Sequence, residues 1–158
     1  MSQSTDGQIC YGVLFEEEQE FPWDETHYSG DGIEEWWREE SGFVPTIQIY
    51  DERGEWKDGI KPPQEQKDLY YRERKEWDVA HPCPVELVNC CSGEFPIWIL
   101  AVPGTFMKAC RGEPRMFDPM TAFPGVSFEE KTRLFDFCKK YGLSADGGVG
   151  WFLSSLWD

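Results

Sequence analysis

The segment Phe95 to Val102 is apolar on both of its faces: Ile97, Ile99 and Ala101 alternate with Trp98, Leu100 and Val102. Successive side chains of an extended chain point to opposite sides, so such a strand is stable only where both sides are covered. The segment therefore reads as the central strand of a sheet. A tight turn at Ser92-Gly93-Glu94 would join it to a preceding strand from Val85 to Cys91.

The remaining elements follow from periodicity and from helix and turn signals. Residues 8 to 15 read as a strand, with Ile9, Tyr11, Val13 and Phe15 on one face and Cys10 and Leu14 on the other. Residues 31 to 41 read as a short helix with Asp31 as N-cap and Gly42 at C′. Its buried stripe would be Ile33, Trp36 and Trp37. Thr46 to Tyr50 alternates as a half-buried strand with Ile47 and Ile49 inward. Asp51 to Gly54 then turns the chain into a second short strand at Glu55 to Lys57. Pro62-Pro63 opens a longer helix to Ala80, which His81-Pro82 ends. Thr105 to Cys110 reads as a further strand, and Pro114 to Pro124 as a loop. Ser127 and Glu130 form a capping box for a helix over 128–141. Its inner stripe is Leu134, Cys138 and Tyr141, with Phe128 and Phe135 beside it. Trp151 to Trp157 makes a last strand. The sum is a single α+β domain, 1–158, with a mostly antiparallel or mixed sheet of about five to six strands and about three helices.

Charge divides the chain differently. The net charge is −15 over 158 residues. Residues 1–60 form an acidic third with sixteen acids and three bases; the helical stretch 61–80 is neutral; the sheet-rich remainder, 81–158, is close to neutral. An aromatic fraction of 16% with eight Trp argues against a disordered chain despite that charge. So acidic a chain repels nucleic-acid backbones and anionic membranes, and attracts basic protein surfaces. No run of 18 apolar residues suggests a membrane span, and the first residues do not read as a secretory signal. Six cysteines then read as reduced thiols in a cytosol.

Two acid clusters stand out. One is Glu16, Glu17, Glu18 and Glu20. The other is Glu34, Glu35, Glu39 and Glu40 on the first helix. The other helices carry stabilising acid–base pairs four residues apart, Asp68/Arg72, Glu129/Arg133 and Asp136/Lys140. The first helix has one such pair, Glu34/Arg38, but sets Glu35 opposite Glu39 and places Glu39 and Glu40 at the end where the dipole disfavours anions. Either the cluster is a solvated face whose local penalty is too small to matter, or it is used. A row of carboxylates can imitate a phosphate backbone, and the eight glutamates are the candidate partner-binding residues. Trp23, Tyr28 and Trp56 would add aromatic anchors to such an interface or else close the edge of the core.

Other constellations are weaker. His81, Cys83, Cys90 and Cys91 lack the usual zinc spacing, and Cys91, which alternates with Val85 and Leu87, fits a core thiol better. The same residues offer a Cys–His nucleophile with no oxyanion hole, and Ser92 lacks the nucleophile-elbow pattern. Asp24 to Glu35 spans a calcium loop but has Thr26, Tyr28 and Ser29 at the third, fifth and sixth places, where oxygen-rich acids and a glycine are required. No phosphate-binding glycine motif is present. No cofactor, metal or catalytic residue is therefore assigned.

The stretches Cys10-Tyr11-Gly12-Val13-Leu14-Phe15, Asp31 to Arg38 and Pro84-Val85-Glu86-Leu87-Val88-Asn89 resemble parts of small acidic proteins encoded by tailed phages and prophages. That resemblance implies a bacterial host cytoplasm. It also implies a class that acts by binding host machinery, including anti-CRISPR and other anti-defence inhibitors. The leading expectation is a non-enzymatic protein that docks its acidic third on a basic host protein and inhibits a nucleic-acid-binding protein by charge mimicry. An enzyme with an unlocated carboxylate or thiol site, and a structural or assembly module, are the alternatives.

Overall fold

The computed structural model describes residues 5–15, 20–23, 32–51, 54–92, 96–113, 116, 118, 125–144 and 148–157. Among these residues are three α-helices and five strands in a mixed sheet, an α+β fold. They group into two compact units: Met1–Pro22 with Pro84–Asp158, and Trp23–Cys83.

The first unit is built around β1 (Thr5–Leu14), which uses both of its edges. One edge pairs antiparallel with β5 (Val149–Trp157), from Thr5↔Trp157 to Val13↔Val149. The other meets β4 (Met107–Ala109) at Gly7 to Ile9, and β3 (Pro96–Ala101) at Gly12 to Leu14. The hairpin partner β2 (Glu86–Ser92) pairs with β3 along its length, then runs parallel to β5 at Cys91↔Leu156 and Ser92↔Trp157. Thus β1, β3, β2 and β5 close into a ring, in which β2 and β5 meet at only two residue pairs.

The segment expected to be central is β3, and it is paired on both sides. Its Ile99 and Ala101 join Cys10, Val88 and Cys90 in the buried core. Between β3 and β4, Thr105 fills a gap in the ladder. Its hydroxyl accepts the Tyr11 N–H at 3.1 Å and donates to the Val102 carbonyl at 2.6 Å. Two sites mark the strain of closure. Gly12 lets β1 approach β3 where no Cβ would fit. Cys91 adopts φ +79° where β2 passes from one partner to the other.

The helix α3 (Phe128–Lys140) has the expected capping box. The Ser127 N–H donates to Glu130 Oε2 at 2.7 Å, and the Glu130 N–H donates to Ser127 Oγ at 3.2 Å. Its inner stripe differs from expectation. Leu134, Phe137 and Cys138 are buried, whereas Phe128 and Phe135 are 83% and 47% exposed. Buried positions 134, 137 and 138 follow the i, i+3, i+4 rule, which rotates both other phenylalanines outward. Lys131 lies over the Tyr11 ring, which in turn packs edge-on against Trp151.

The second unit holds α1 (Gly32–Glu40) and α2 (Gln64–Ala80), with a 3₁₀ turn at Lys57–Gly59. The strand expected over Thr46 to Tyr50 does not form. The segment makes only one β-bridge, Tyr50↔Trp56, across the expected turn. Around that bridge the Lys57 N–H donates to the Ile49 carbonyl at 3.0 Å and the Asp51 N–H to the Glu55 carbonyl at 2.8 Å, so 49–51 pairs with 55–57 only briefly, while the Thr46 N–H donates to Glu73 Oε2 on α2 at 3.0 Å. Ile49 is nonetheless buried. Tyr50 packs against Trp56, Tyr70 and Tyr71. The turn at Ser92-Gly93-Glu94 and most of the 114–124 loop lie outside the described residues.

Candidate functional site

The helix α1 buries Ile33 and Trp36, and Trp36 meets the buried ring of Trp23 at 5.4 Å between centroids. Trp23 is thus buried and not an exposed anchor. Trp56 stacks on Tyr50 and carries Lys67 over its ring. Tyr28 lies outside the described residues.

The fourth residue that α1 buries is unexpected. Gly32, Ile33 and Trp36 are small or apolar, but the other is Arg38, only 7% exposed. Its Nε donates to Asp78 Oδ1 at 2.6 Å and its Nη2 to Asp78 Oδ2 at 2.9 Å, a two-pronged bond to α2. Glu34 lies 3.5 Å from Nη2 and Glu35 3.3 Å from Nη1. Glu35 also pairs with Arg74 of α2. Burial alone would lower the Arg38 pKa. The Asp78 hydrogen bond and the charges of Glu35, Asp78 and Glu34 outweigh it and raise the pKa above the usual guanidinium value. Because 35 meets 74 and 38 meets 78, the contacts advance in the same direction along both helices.

This network changes the meaning of the acid run. Glu35 is not simply a like charge opposite Glu39; it bridges two guanidinium groups. Glu34 remains 63% exposed at its side chain, and Glu39 and Glu40 are exposed. Glu20 is exposed too, but it belongs to the other unit. Glu16, Glu17 and Glu18 lie outside the described residues. The structure therefore gathers Glu34 and Glu35 around Arg38 and sets Glu39 and Glu40 on the following turn. Asp78 and Arg74, which hold the helix, were hidden from sequence reasoning. Their spacing of four on α2 was the signal that both face one neighbour.

Asp6, Glu73 and Glu130 all lie below the usual carboxylate range, each because a neighbour donates hydrogen bonds to it. These neighbours are Lys108 with the Arg111 N–H, Thr46 and Ser127 respectively. Burial pushes the Cys10 thiol up to about 12 and Cys138 up to about 11, and raises Cys90 as well. The Cys90 Sγ donates to the Ile97 carbonyl inside the ring of strands. His81 stacks on the Trp77 ring at 3.8 Å. Among the described residues no three His, Cys, Asp or Glu side chains converge as metal ligands, and no helix is long and apolar enough to cross a membrane. No family model, curated protein or solved structure matches the chain.

Proposed function

We propose that this protein is a non-enzymatic binding module that docks the carboxylate face of α1 on a basic surface of a partner protein. One observation carries the reading. The only base of α1 is buried, so every charged group that this helix shows to solvent is negative. The exposed face of α3, by contrast, mixes signs, with Glu129, Arg133, Asp136 and Lys140 all exposed. Here the cation is turned inward and used as an anchor. The outward acids are then presented on a fixed scaffold, which suits electrostatic steering toward a cationic partner.

The specific form we propose is inhibition of a nucleic-acid-binding host protein by charge mimicry, in a bacterial cytoplasm and of anti-defence type. The acidic face and the resemblance to phage proteins support it. Its test is capture from bacterial lysate on the native chain and on a Glu39→Gln/Glu40→Gln variant, at low and moderate salt. Glu35 is left intact because it holds Arg38 and Arg74. A basic nucleic-acid-binding protein retained by the native chain, lost from the variant and displaced by added duplex DNA is the expected result. Equal retention on both baits, or retention insensitive to salt, overturns the reading.

A further inference from the structure

A groove of about 300 Å³ opens in the second unit, lined by Phe43, Val44, Glu73, Glu76, Trp77 and Ala80. That volume is at the bottom of the range of ligand sites, roughly 300–1,000 Å³, and suits a single side chain better than a cofactor. Its apolar surface is unusually open: Val44 is 84% exposed, and Ala80 is exposed beside it. The aromatic pair Phe43 and Trp77, 5.8 Å between centroids, is part of the lining. Hydrogen bonds hold the groove's lining in place. The Trp77 Nε1–H donates to Ser41 Oγ at 2.9 Å, the Phe43 N–H donates to the Arg38 carbonyl at 2.8 Å, and Glu73 is fixed by the Thr46 N–H. Two carboxylates and no cation line it.

We infer that this groove seats one aliphatic side chain of a partner's peptide segment, with lysine or arginine on either side of it meeting Glu73 and Glu76. Burial of the aliphatic group against Phe43 and Trp77 gives the affinity. The two carboxylates select the flanking charge and disfavour an acidic segment. The hydrogen bonds that Thr46 donates also hold the Glu73 carboxyl below its ordinary value. The inference stands on the groove alone and does not require the α1 acids.

The test is a titration of the ¹⁵N-labelled full chain with three capped pentapeptides. These are a leucine flanked by two lysines on each side, the same peptide with glycine for leucine, and a leucine flanked by serines. The lysine–leucine peptide should shift the Trp77 indole N–H and the amides of Val44 and Ala80. Each control should bind about tenfold more weakly, as loss of one buried aliphatic group or of the paired charges predicts. Val44→Lys, at an exposed position, should abolish the response while leaving the rest of the spectrum unchanged. Equal binding of the leucine and glycine peptides, with shifts on α1, would overturn the groove and leave the acidic docking face standing. Equal binding of the serine-flanked peptide would overturn the requirement for basic flanks. No shift of the Trp77 indole at millimolar peptide would overturn the inference outright.

Discussion

Arg38 and Asp78 form a two-pronged ion pair in which the partners differ sharply in exposure: the arginine side chain is 8% exposed, the aspartate 40%. That asymmetry predicts which half of the pair matters more. Asp78→Ala leaves a guanidinium buried with only Glu34 and Glu35 nearby, and should cost about 2–3 kcal/mol. Arg38→Met fills the same space with an apolar chain and leaves Asp78 where water reaches it, so it should cost less. Urea unfolding followed by tryptophan fluorescence ranks the two. A larger loss for Arg38→Met would show that the pair's attraction, and not the burial of one charge, dominates.

The helices were legible because their signals are local. Ser127 and Glu130, Pro62-Pro63 and Gly42 mark ends that the structure reproduces within about two residues. The strands at 8–15, 85–91, 95–102 and 151–157 were legible from alternation. What alternation does not hold is a partner. Thr46 to Tyr50 has the same pattern but pairs only at its end, with 55–57, and Glu73 takes the Thr46 backbone donor. The closure of β1, β3, β2 and β5 rests on pairings up to about 150 residues apart in sequence, beyond any local pattern. The candidate site was half visible for the same reason. The acids of α1 are a run in the sequence, whereas the burial of Arg38 depends on Asp78, forty residues away.

Acid pH should expose the lowered carboxylates. Asp6, Glu73 and Glu130 all have folded-state values below their ordinary ones. Their contribution is complete above the unfolded value of roughly 4 and is lost as pH falls through the lower folded values. Stability measured against pH should therefore hold from neutrality to about pH 5 and then decline. Asp6→Asn should flatten that decline by removing the proton uptake at one site, where Lys108 and the Arg111 N–H now hold the carboxylate. An unchanged acid limb would mean that this carboxylate does not titrate differently on unfolding.

The thiols should divide by burial. Cys110 is exposed and should react first with a disulfide reagent at neutral pH, followed by the half-buried Cys83 and Cys91. Cys10, Cys90 and Cys138 should react only when the chain opens. The same burial sets an alkaline limit. Cys10 and Cys138 stand at about 12 and about 11 when folded, against 9.0 unfolded. Both favour the fold below pH 9 and cease to do so as pH rises through those folded values, so stability should drop across that window. Six prompt thiols in the native protein would contradict the buried placement.

The ring of strands should depend on one glycine more than on its neighbours. A Cβ at Gly12 would run into the Leu100 carbonyl oxygen and stand 2.9 Å from the Ala101 Cα, both backbone atoms that cannot rotate aside. Gly150 faces Gly12 across the β1–β5 ladder, yet a Cβ there meets nothing within 4 Å. Gly12→Ala must push β1 from β3 and should cost about 3 kcal/mol or more. Gly150→Ala should be neutral or stabilise by about 0.5 kcal/mol, because alanine loses less backbone freedom in a strand. Thermal unfolding of the two variants decides the matter. Equal behaviour would mean that β1 and β3 can separate at Gly12 without loss, and that closure of the ring contributes little to stability.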